Sequence, residues 1–187
     1  MNTGYELAGG ELYGFITYST RDNESAAFFR HNANADGNPV LQDGDAVIPM
    51  GFLPMINTTI DDISYNFGFK KEFDNSSSLD LSYTYGENSI DYTTSDTING
   101  SYANLLRYDQ GLSADDIRAT IPRQAYAYGM ELSLQTINLD FTQDYDNFSL
   151  AMGAELRTDE YRILEGSEYA YRDYDTNNGV NIYDGMS

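Results

Sequence analysis

Polar residues at regular spacing make residues 32–43 a candidate calcium loop. Asparagine or aspartate stands at positions 1, 3, 5 and 12 of the pattern, and Gly37 stands at position 6, where the chain must turn sharply. Asn rather than Asp at position 1, Asp rather than Glu at position 12 and an internal Pro39 favour a solvated polar loop instead. The ligands would be Asn32, Asn34, Asp36 and Asp43, and part of this pattern recurs at Asp173, Asp175, Asn177 and Gly179.

His31 is the only histidine, and cysteine is absent. A zinc site would need carboxylates from distant parts of the chain, and neither a Ser-His-Asp nor a Cys-His nucleophile is indicated. Carboxylates are so frequent, with 30 acidic residues, that accidental pairs do not indicate a glycosidase. The sequence therefore predicts no enzyme, and no cofactor apart from the candidate calcium ion.

Aromatic residues in the expected loops are candidates for contact with a ligand. Tyrosine and phenylalanine rings can stack on a sugar or a siderophore, and they can equally pack loops against one another. Both interpretations are open for the set, which comprises Phe28, Phe29, Phe52, Tyr102, Tyr108, Tyr126 and Tyr128.

Acidic residues outnumber basic ones by 30 to 10, which gives a formal net charge of −20. This charge argues against nucleic acid as a partner, because no row of basic residues is present to neutralise phosphates. Aromatic residues make up 14% of the chain, whereas a disordered acidic chain is poor in them. The composition is typical of a folded secreted or outer-membrane protein.

Apolar and polar residues alternate through five segments of the chain. In residues 61–73 the odd positions from Ile63 to Phe69 are apolar and the even positions are polar, as in a strand with one apolar face. Within residues 128–144 the apolar phase changes at Gln135, which predicts a bulge or a change of environment. The sequence predicts an all-β fold of antiparallel up-and-down strands at residues 10–22, 61–73, 79–93, 128–144 and 148–164.

The connections alternate between short turns and long loops. The turns at 74–78 and 145–147 are short, whereas the loops at 23–60, 94–127 and 165–187 are long, and all four prolines lie in long loops. This asymmetry is the layout of an outer-membrane barrel, with short periplasmic turns and long extracellular loops. Five strands are too few to close a barrel, so we expect part of the wall of a larger one.

Two sets of side chains acquire roles under the barrel interpretation. Polar residues on one strand face would line the lumen, and aromatic residues beside the short turns would form an interfacial girdle. The lumen set is Asp80, Asn138, Asp140, Glu155 and Arg157, and the girdle set is Phe73, Tyr145 and Phe148. Because the first residues lack the basic and apolar regions of a signal peptide, we expect an internal piece of a longer protein.

Three stretches resemble the barrel strands of TonB-dependent outer-membrane receptors. The first runs from Gly10 to Asp22, the second is residues 51–62, and the third starts at residue 135 and continues through the short turn to residue 161. The resemblance implies an outer-membrane location in a Gram-negative bacterium, contact with lipid and lipopolysaccharide, and uptake of a siderophore, vitamin, oligosaccharide or peptide. It also implies energy supplied by TonB through a plug domain, which this sequence lacks, and it assigns no ligand-binding residue.

Two other classes of function remain open from the sequence. A soluble or surface β-sandwich used in binding or adhesion would bury the apolar strand faces between two sheets. A secreted acidic hydrolase would use some of the many carboxylates, although no motif indicates one.

Overall fold

The computed structural model describes residues 2–32 and 37–174, and its main element is one antiparallel sheet of six strands. Each strand is hydrogen-bonded to the strands that precede and follow it in the sequence, so the sheet is an up-and-down meander. In the described residues the sheet is open rather than closed into a barrel. The strands are β1 (Asn2–Leu7), β2 (Gly10–Ala26), β3 (Met55–Phe73), β4 (Ser77–Ser95), β5 (Gln124–Tyr145) and β6 (Phe148–Glu165).

The prediction of an all-β fold of about five antiparallel up-and-down strands is confirmed, and the sheet has one strand more than the five placed from the sequence. The five predicted segments are β2 to β6, each longer than predicted. The missed strand is β1, which pairs with β2 so that Tyr5 faces Leu12 and Leu7 faces Gly10. Its turn consists of Ala8 and Gly9, both with positive φ (52° and 72°), as a two-residue hairpin turn requires.

The long loops contain helical segments that the sequence did not predict. Helix α1 (Gly100–Asn104) continues into a π-helical turn (Leu105–Asp109), and α2 (Ala114–Thr120) follows; a short α3 (Glu168–Tyr171) comes after β6. Ser113 caps α2, because its hydroxyl accepts a hydrogen bond from the Asp116 amide (3.2 Å) and donates one to the Asp116 carboxylate (2.6 Å). None of the described helices has the length and apolar character needed to cross a membrane.

The chain divides into two compact units, which we call the strand unit and the loop unit. The strand unit comprises Met1–Arg21, Ile60–Ser89 and Met130–Arg162, and the loop unit comprises Asp22–Thr59, Ile90–Gly129 and Ile163–Ser187.

The hydrophobic core of the protein belongs to the loop unit. The segment before β3 and the segment between β4 and β5 contribute fully buried side chains such as Val47, Ile98 and Ile117. Because burial of each such side chain contributes roughly 1.5–3 kcal/mol, these loops fold as a compact body. The core comprises Leu41, Val47, Phe52, Ile98, Ala103, Leu106, Ala114, Ile117 and Ile121.

Candidate functional site

One face of the sheet in the strand unit is a ladder of polar contacts between strands. Tyr13 donates a hydrogen bond to Asp80 (2.7 Å), and Asn66 donates one to Thr84 (2.7 Å). Strand alternation places these side chains on the same face. Further contacts on this polar face join Thr17 to Ser64, Ser19 to Asp62, Asn88 to Asp62, and Ser78 to Thr142.

The opposite face of the same strands is apolar and exposed. Phe67, Leu81 and Ile137 are 49%, 51% and 46% exposed, and together with Leu12 they line a shallow apolar depression that crosses four strands. We call this surface the apolar band. It comprises Leu12, Ile16, Ile63, Tyr65, Phe67, Phe69, Leu79, Leu81, Tyr83, Ile137, Leu139, Phe141, Leu150, Met152, Ala154 and Leu156.

Burial in the strand unit is the reverse of that in a soluble domain. Among the described residues of this unit, no leucine, isoleucine, phenylalanine or methionine side chain is buried. A soluble protein buries these residue types most often, whereas the strand unit exposes them on the apolar band and has no hydrophobic core in its described residues. The residues that are buried are Gly14, Asn66, Gly68, Ser77, Ser133 and Thr136.

Aromatic side chains bound the apolar band at both ends. At the end near the short turns, Tyr145 stacks on Phe148 with ring centroids 4.6 Å apart, and Lys71 lies 5.5 Å from the centre of the Phe73 ring. At the other end, Tyr65 stacks on Tyr85 at 5.0 Å. The three predicted girdle residues thus lie at one border of the band.

The polarity of the two faces changes along β5 without a bulge at Gln135. A Cβ on Gly153 would lie 2.6 Å from the Asp140 carboxylate, and Arg162 pairs with Glu131 at 3.1 Å. On β5, Glu131 and Asp140 are nine positions apart, and on β6 their partners Arg162 and Gly153 are also nine positions apart. The pairing register between β5 and β6 is therefore the same on both sides of Gln135. Of the two sequence-based alternatives, the structure therefore supports a change of environment: the face that carries Ile137 carries Glu131 further along.

The five predicted lumen residues lie on strands β4, β5 and β6. Asp80 accepts the bond from Tyr13, and Asn138 and Asp140 lie on the polar face of β5 by alternation. Arg157 forms its ion pair with Asp159 (3.1 Å). Glu155, the fifth, lies two positions from Arg157 on the same face of β6.

Two buried asparagines organise the loop unit. Asn38 donates hydrogen bonds to the carbonyls of His31 (3.3 Å) and Ile48 (2.9 Å) and accepts one from the Ile48 amide (2.9 Å). Asn99 caps α1 by accepting a bond from the Tyr102 amide (3.1 Å), and its side-chain amide donates to the carbonyls of Tyr169 and Arg172, both at 2.9 Å.

Residues 167–174 pack against the rest of the loop unit around Asn99. Tyr169 donates a hydrogen bond to the Pro122 carbonyl (2.8 Å), and the Tyr102 ring meets the rings of Tyr169 and Tyr174 edge to face. Burial raises the pKa of Tyr169 to about 12, which further favours the protonated hydroxyl that donates this bond.

An ion pair joins the two long loops. Arg118 of α2 bonds both carboxylate oxygens of Asp43 (2.6 and 3.2 Å) and the carbonyls of Asp45 and Ala46. The hydrogen bonds from Arg118, followed by one from the Asp45 amide, hold the pKa of the Asp43 carboxyl below its usual value.

The aromatic ligand candidates occupy different environments. Phe52 is a core side chain with 4% exposure, and Tyr102 packs against the core. Tyr126 is half-buried and donates a hydrogen bond to Asp91 (2.6 Å). Phe28, Phe29, Tyr108 and Tyr128 are exposed, but Arg107 lies over the Tyr108 ring, so the rings of Phe28, Phe29 and Tyr128 retain surface for a ligand.

The candidate calcium loops lie partly outside the described residues. This applies to Asn34 and Asp36 of the first pattern and to Asp175, Asn177 and Gly179 of the second. Asp43 is engaged by Arg118, and exposed His31 meets Phe29 edge to face. In residues 2–32 and 37–174, no three His, Asp or Glu side chains form a group suited to a metal ion.

Comparison of the chain with protein-family models, with curated proteins and with solved structures finds no match.

Proposed function

We propose that the sheet is part of the wall of an outer-membrane β-barrel in a receptor of the TonB-dependent kind. The observation that carries this proposal is the reversed burial in the strand unit, where Leu81 and Phe67 are half exposed while Asn66 is buried. A membrane barrel has this arrangement, because its outer face contacts lipid and its inner face contacts water. The receptor family is proposed on the resemblance of residues 10–22, 51–62 and 135–161.

The dimensions of the apolar band support a bilayer as the surrounding medium. From Ile63 to the border residue Phe73, the odd positions of β3 cover ten residue steps, or about 33 Å along the strand, and the one charged residue among them, Lys71, lies at the border with its ammonium over the Phe73 ring. At the tilt of membrane-barrel strands this length spans roughly 25 Å, which is the height of the apolar belt of such barrels. The aromatic borders at Tyr65–Tyr85 and Tyr145–Phe148 would then form the interfacial girdles.

The edges of the sheet also favour a larger wall. All 18 residues of β6 are exposed, including Leu156 at 73% and Ile163 at 71%. A long apolar edge strand in water is an aggregation site, whereas a barrel pairs every edge. Further strands would therefore continue the wall at β1 and β6, and a plug that contacts TonB would be supplied outside this sequence.

Residues 22–59, 90–129 and 163–174 would act outside the membrane in this proposal. Their compact core and the Arg118–Asp43 ion pair give the extracellular loops a fixed shape. The cargo would be a scarce nutrient such as a siderophore, vitamin, oligosaccharide or peptide.

The absence of cysteine permits a direct test by single-cysteine labelling. The full chain with Leu81→Cys or Ser82→Cys is folded with lipid and labelled with an environment-sensitive fluorophore. We expect a lipid-borne quencher to act on position 81 and an aqueous quencher to act on position 82. Leu139→Cys and Asp140→Cys form a second matched pair on β5, with the same expected contrast.

Two results would contradict the proposal. One is equal quenching at positions 81 and 82 in a chain that circular dichroism shows to be folded. The other is a monodisperse, cooperatively melting monomer in buffer without detergent, which would favour the β-sandwich instead.

A further inference from the structure

A stacked pair of tyrosines forms a rigid aromatic surface on the sheet in the loop unit. Tyr92 of β4 and Tyr128 of β5 stack with ring centroids 4.8 Å apart and an interplanar angle of 27°. Tyr128 remains 44% exposed, so the pair presents an open ring face to solvent. Because both residues lie on paired strands, little conformational entropy is lost when a ligand stacks on them.

Two other tyrosines of this unit, Tyr108 and Tyr174, already carry a cation from the chain itself. The Arg107 guanidinium lies 4.6 Å from the Tyr108 ring centre, and that of Arg172 lies 5.0 Å from the Tyr174 ring centre. Within residues 2–32 and 37–174, the lysines and arginines that lie over a ring contact Phe73, Tyr108 and Tyr174, and none lies over Tyr92 or Tyr128. The stacked pair therefore offers an unused ring face to a cation from outside.

Glu165 lies opposite Tyr128 on the neighbouring segment of the sheet. The Ser167 amide donates a hydrogen bond to the Tyr126 carbonyl (2.9 Å), and two steps back along these antiparallel segments bring Glu165 opposite Tyr128. Directly opposed residues share a face of the sheet. Tyr171 donates a hydrogen bond to Glu165 (2.6 Å), which fixes the carboxylate and leaves it further acceptor capacity.

Four arginines of the loop unit are engaged by partners within the chain. Arg118 pairs with Asp43, Arg123 lies 3.8 Å from Asp96, and Arg172 pairs with Glu168. Arg107 donates to the Val40 carbonyl. These four arginines therefore do not compete with a cationic ligand for the site. The net charge of −20 also attracts a cation to the protein.

We propose that Tyr92, Tyr128 and Glu165 bind a planar organic cation of the guanidinium or amidinium class. The plane of the cation stacks on the exposed ring of Tyr128, and its N–H groups donate to the Glu165 carboxylate in a charge-assisted pair. All three residues belong to the loop unit, so the site does not depend on the proposed membrane role.

Three isosteric probes separate charge from stacking: benzamidinium, neutral benzamide and anionic benzoate. Their dissociation constants are measured by NMR titration on the full chain, in the buffer or detergent in which circular dichroism shows it folded. We expect benzamidinium to bind at least about fivefold more tightly than benzamide, and benzoate to bind more weakly still. Equal affinity for benzamidinium and benzamide, or no binding of benzamidinium at millimolar concentration, would overturn the proposal.

Variants assign the binding to the named residues. Tyr128→Ala should weaken benzamidinium by about tenfold, whereas Tyr128→Phe, which keeps the ring, should stay within about twofold. Glu165→Gln should remove the preference for benzamidinium over benzamide. The control is Tyr108→Ala, because that exposed ring is already covered by Arg107, and it should leave all three constants unchanged. A loss of binding in Tyr108→Ala equal to that in Tyr128→Ala would refute the site.

Discussion

At the scale of single residues, the side chain of Asn99 links helix α1 to the segment after β6. It is fully buried, accepts bonds from Tyr102 and Ser101, and donates two bonds to the segment after β6. Asn99→Ala leaves these buried partners unsatisfied, so we expect a loss of about 3 kcal/mol in the free energy of unfolding. Chemical denaturation followed by near-ultraviolet circular dichroism measures it.

Asn88 provides the matched control for Asn99. It is exposed and makes one side-chain bond, to Asp62 (2.6 Å), so Asn88→Ala should cost no more than about 0.5 kcal/mol. Equal losses for the two variants would show that the burial of Asn99 is not what makes it important.

The Arg118–Asp43 pair makes the stability of the loop unit depend on pH. The pKa of Asp43 is lowered in the folded protein, while an unfolded aspartate has a pKa of about 3.9. The stabilisation is therefore fully present above about pH 4 and is lost as pH falls through the lower folded value. We expect Asp43→Asn to flatten the acid limb of a stability–pH curve, measured by denaturation between about pH 2 and 6.

Asp96→Asn is the control for this titration. Asp96 contacts Arg123 at 3.8 Å and is 69% exposed, and such loose surface pairs contribute little. An unchanged acid limb in Asp43→Asn would contradict the assignment of the pH dependence to the Arg118 pair.

The aromatic ligand candidates show what residue types alone cannot decide. The sequence could not separate Phe52, which is in the core, from exposed Phe28, because both stand in polar loops and burial depends on distant segments. Ser113 stands three positions before the acidic Asp116, which is the spacing of a helix-capping motif, but this spacing alone does not predict a helix. Asn99 had a weaker signal, since the helix that it caps has only five residues.

At the scale of elements, a glycine on β3 makes room for an aromatic ring of β2. A Cβ on Gly68 would overlap Cζ and the hydroxyl oxygen of Tyr13, whose hydroxyl donates a hydrogen bond to Asp80. Gly68→Ala must displace this ring and break the bond, so we expect a loss of about 1 kcal/mol. Gly86→Ala on β4, where the nearest atom is 4.0 Å away, should be neutral or slightly stabilising in the same denaturation assay.

The strands were the most predictable elements because alternation is a local property of the sequence. β2 to β6 follow from it, and the phase change in β5 was visible at Gln135. The loop helices were not predictable, since α1, the π-helical turn and α2 are each seven residues or shorter and depend on the shared core for stability. β1 was missed although Thr3, Tyr5 and Leu7 alternate, because six residues give a weak pattern.

The phase change in β5 leads to a prediction for lipid contact along one strand. Single cysteines at positions 137, 139 and 141 should be quenched by a lipid-borne quencher, and those at 138 and 140 should not. Cysteine at Leu132 should also escape this quencher, because it lies on the opposite face beyond the phase change. Lipid quenching at 132 equal to that at 139 would contradict the proposed end of the membrane-embedded part of β5.

At the scale of the whole molecule, the strand unit and the loop unit follow opposite rules of burial. The loop unit buries Leu41, Val47 and Ile117 as a soluble domain does, while the strand unit exposes Leu81 and buries Asn66. Sequence periodicity predicts two-faced strands for a sandwich and for a barrel alike. The distinction comes from packing: in the described residues no second layer covers the apolar band of the strand unit.

This difference makes the effect of a single charge depend on the face and on the medium. Leu81 is near the middle of the apolar band, where arginine on a lipid-facing strand costs about 2–4 kcal/mol, while the adjacent polar face tolerates charge. We therefore expect Leu81→Arg to lower the folded fraction of the full chain in lipid vesicles strongly, and Ser82→Arg to leave it nearly unchanged. Heat-modifiable migration on gels and protease protection report the folded fraction. If Leu81→Arg instead folds as well as Ser82→Arg in vesicles, lipid does not contact the band; if the wild-type chain folds without vesicles, Leu81 is covered by protein.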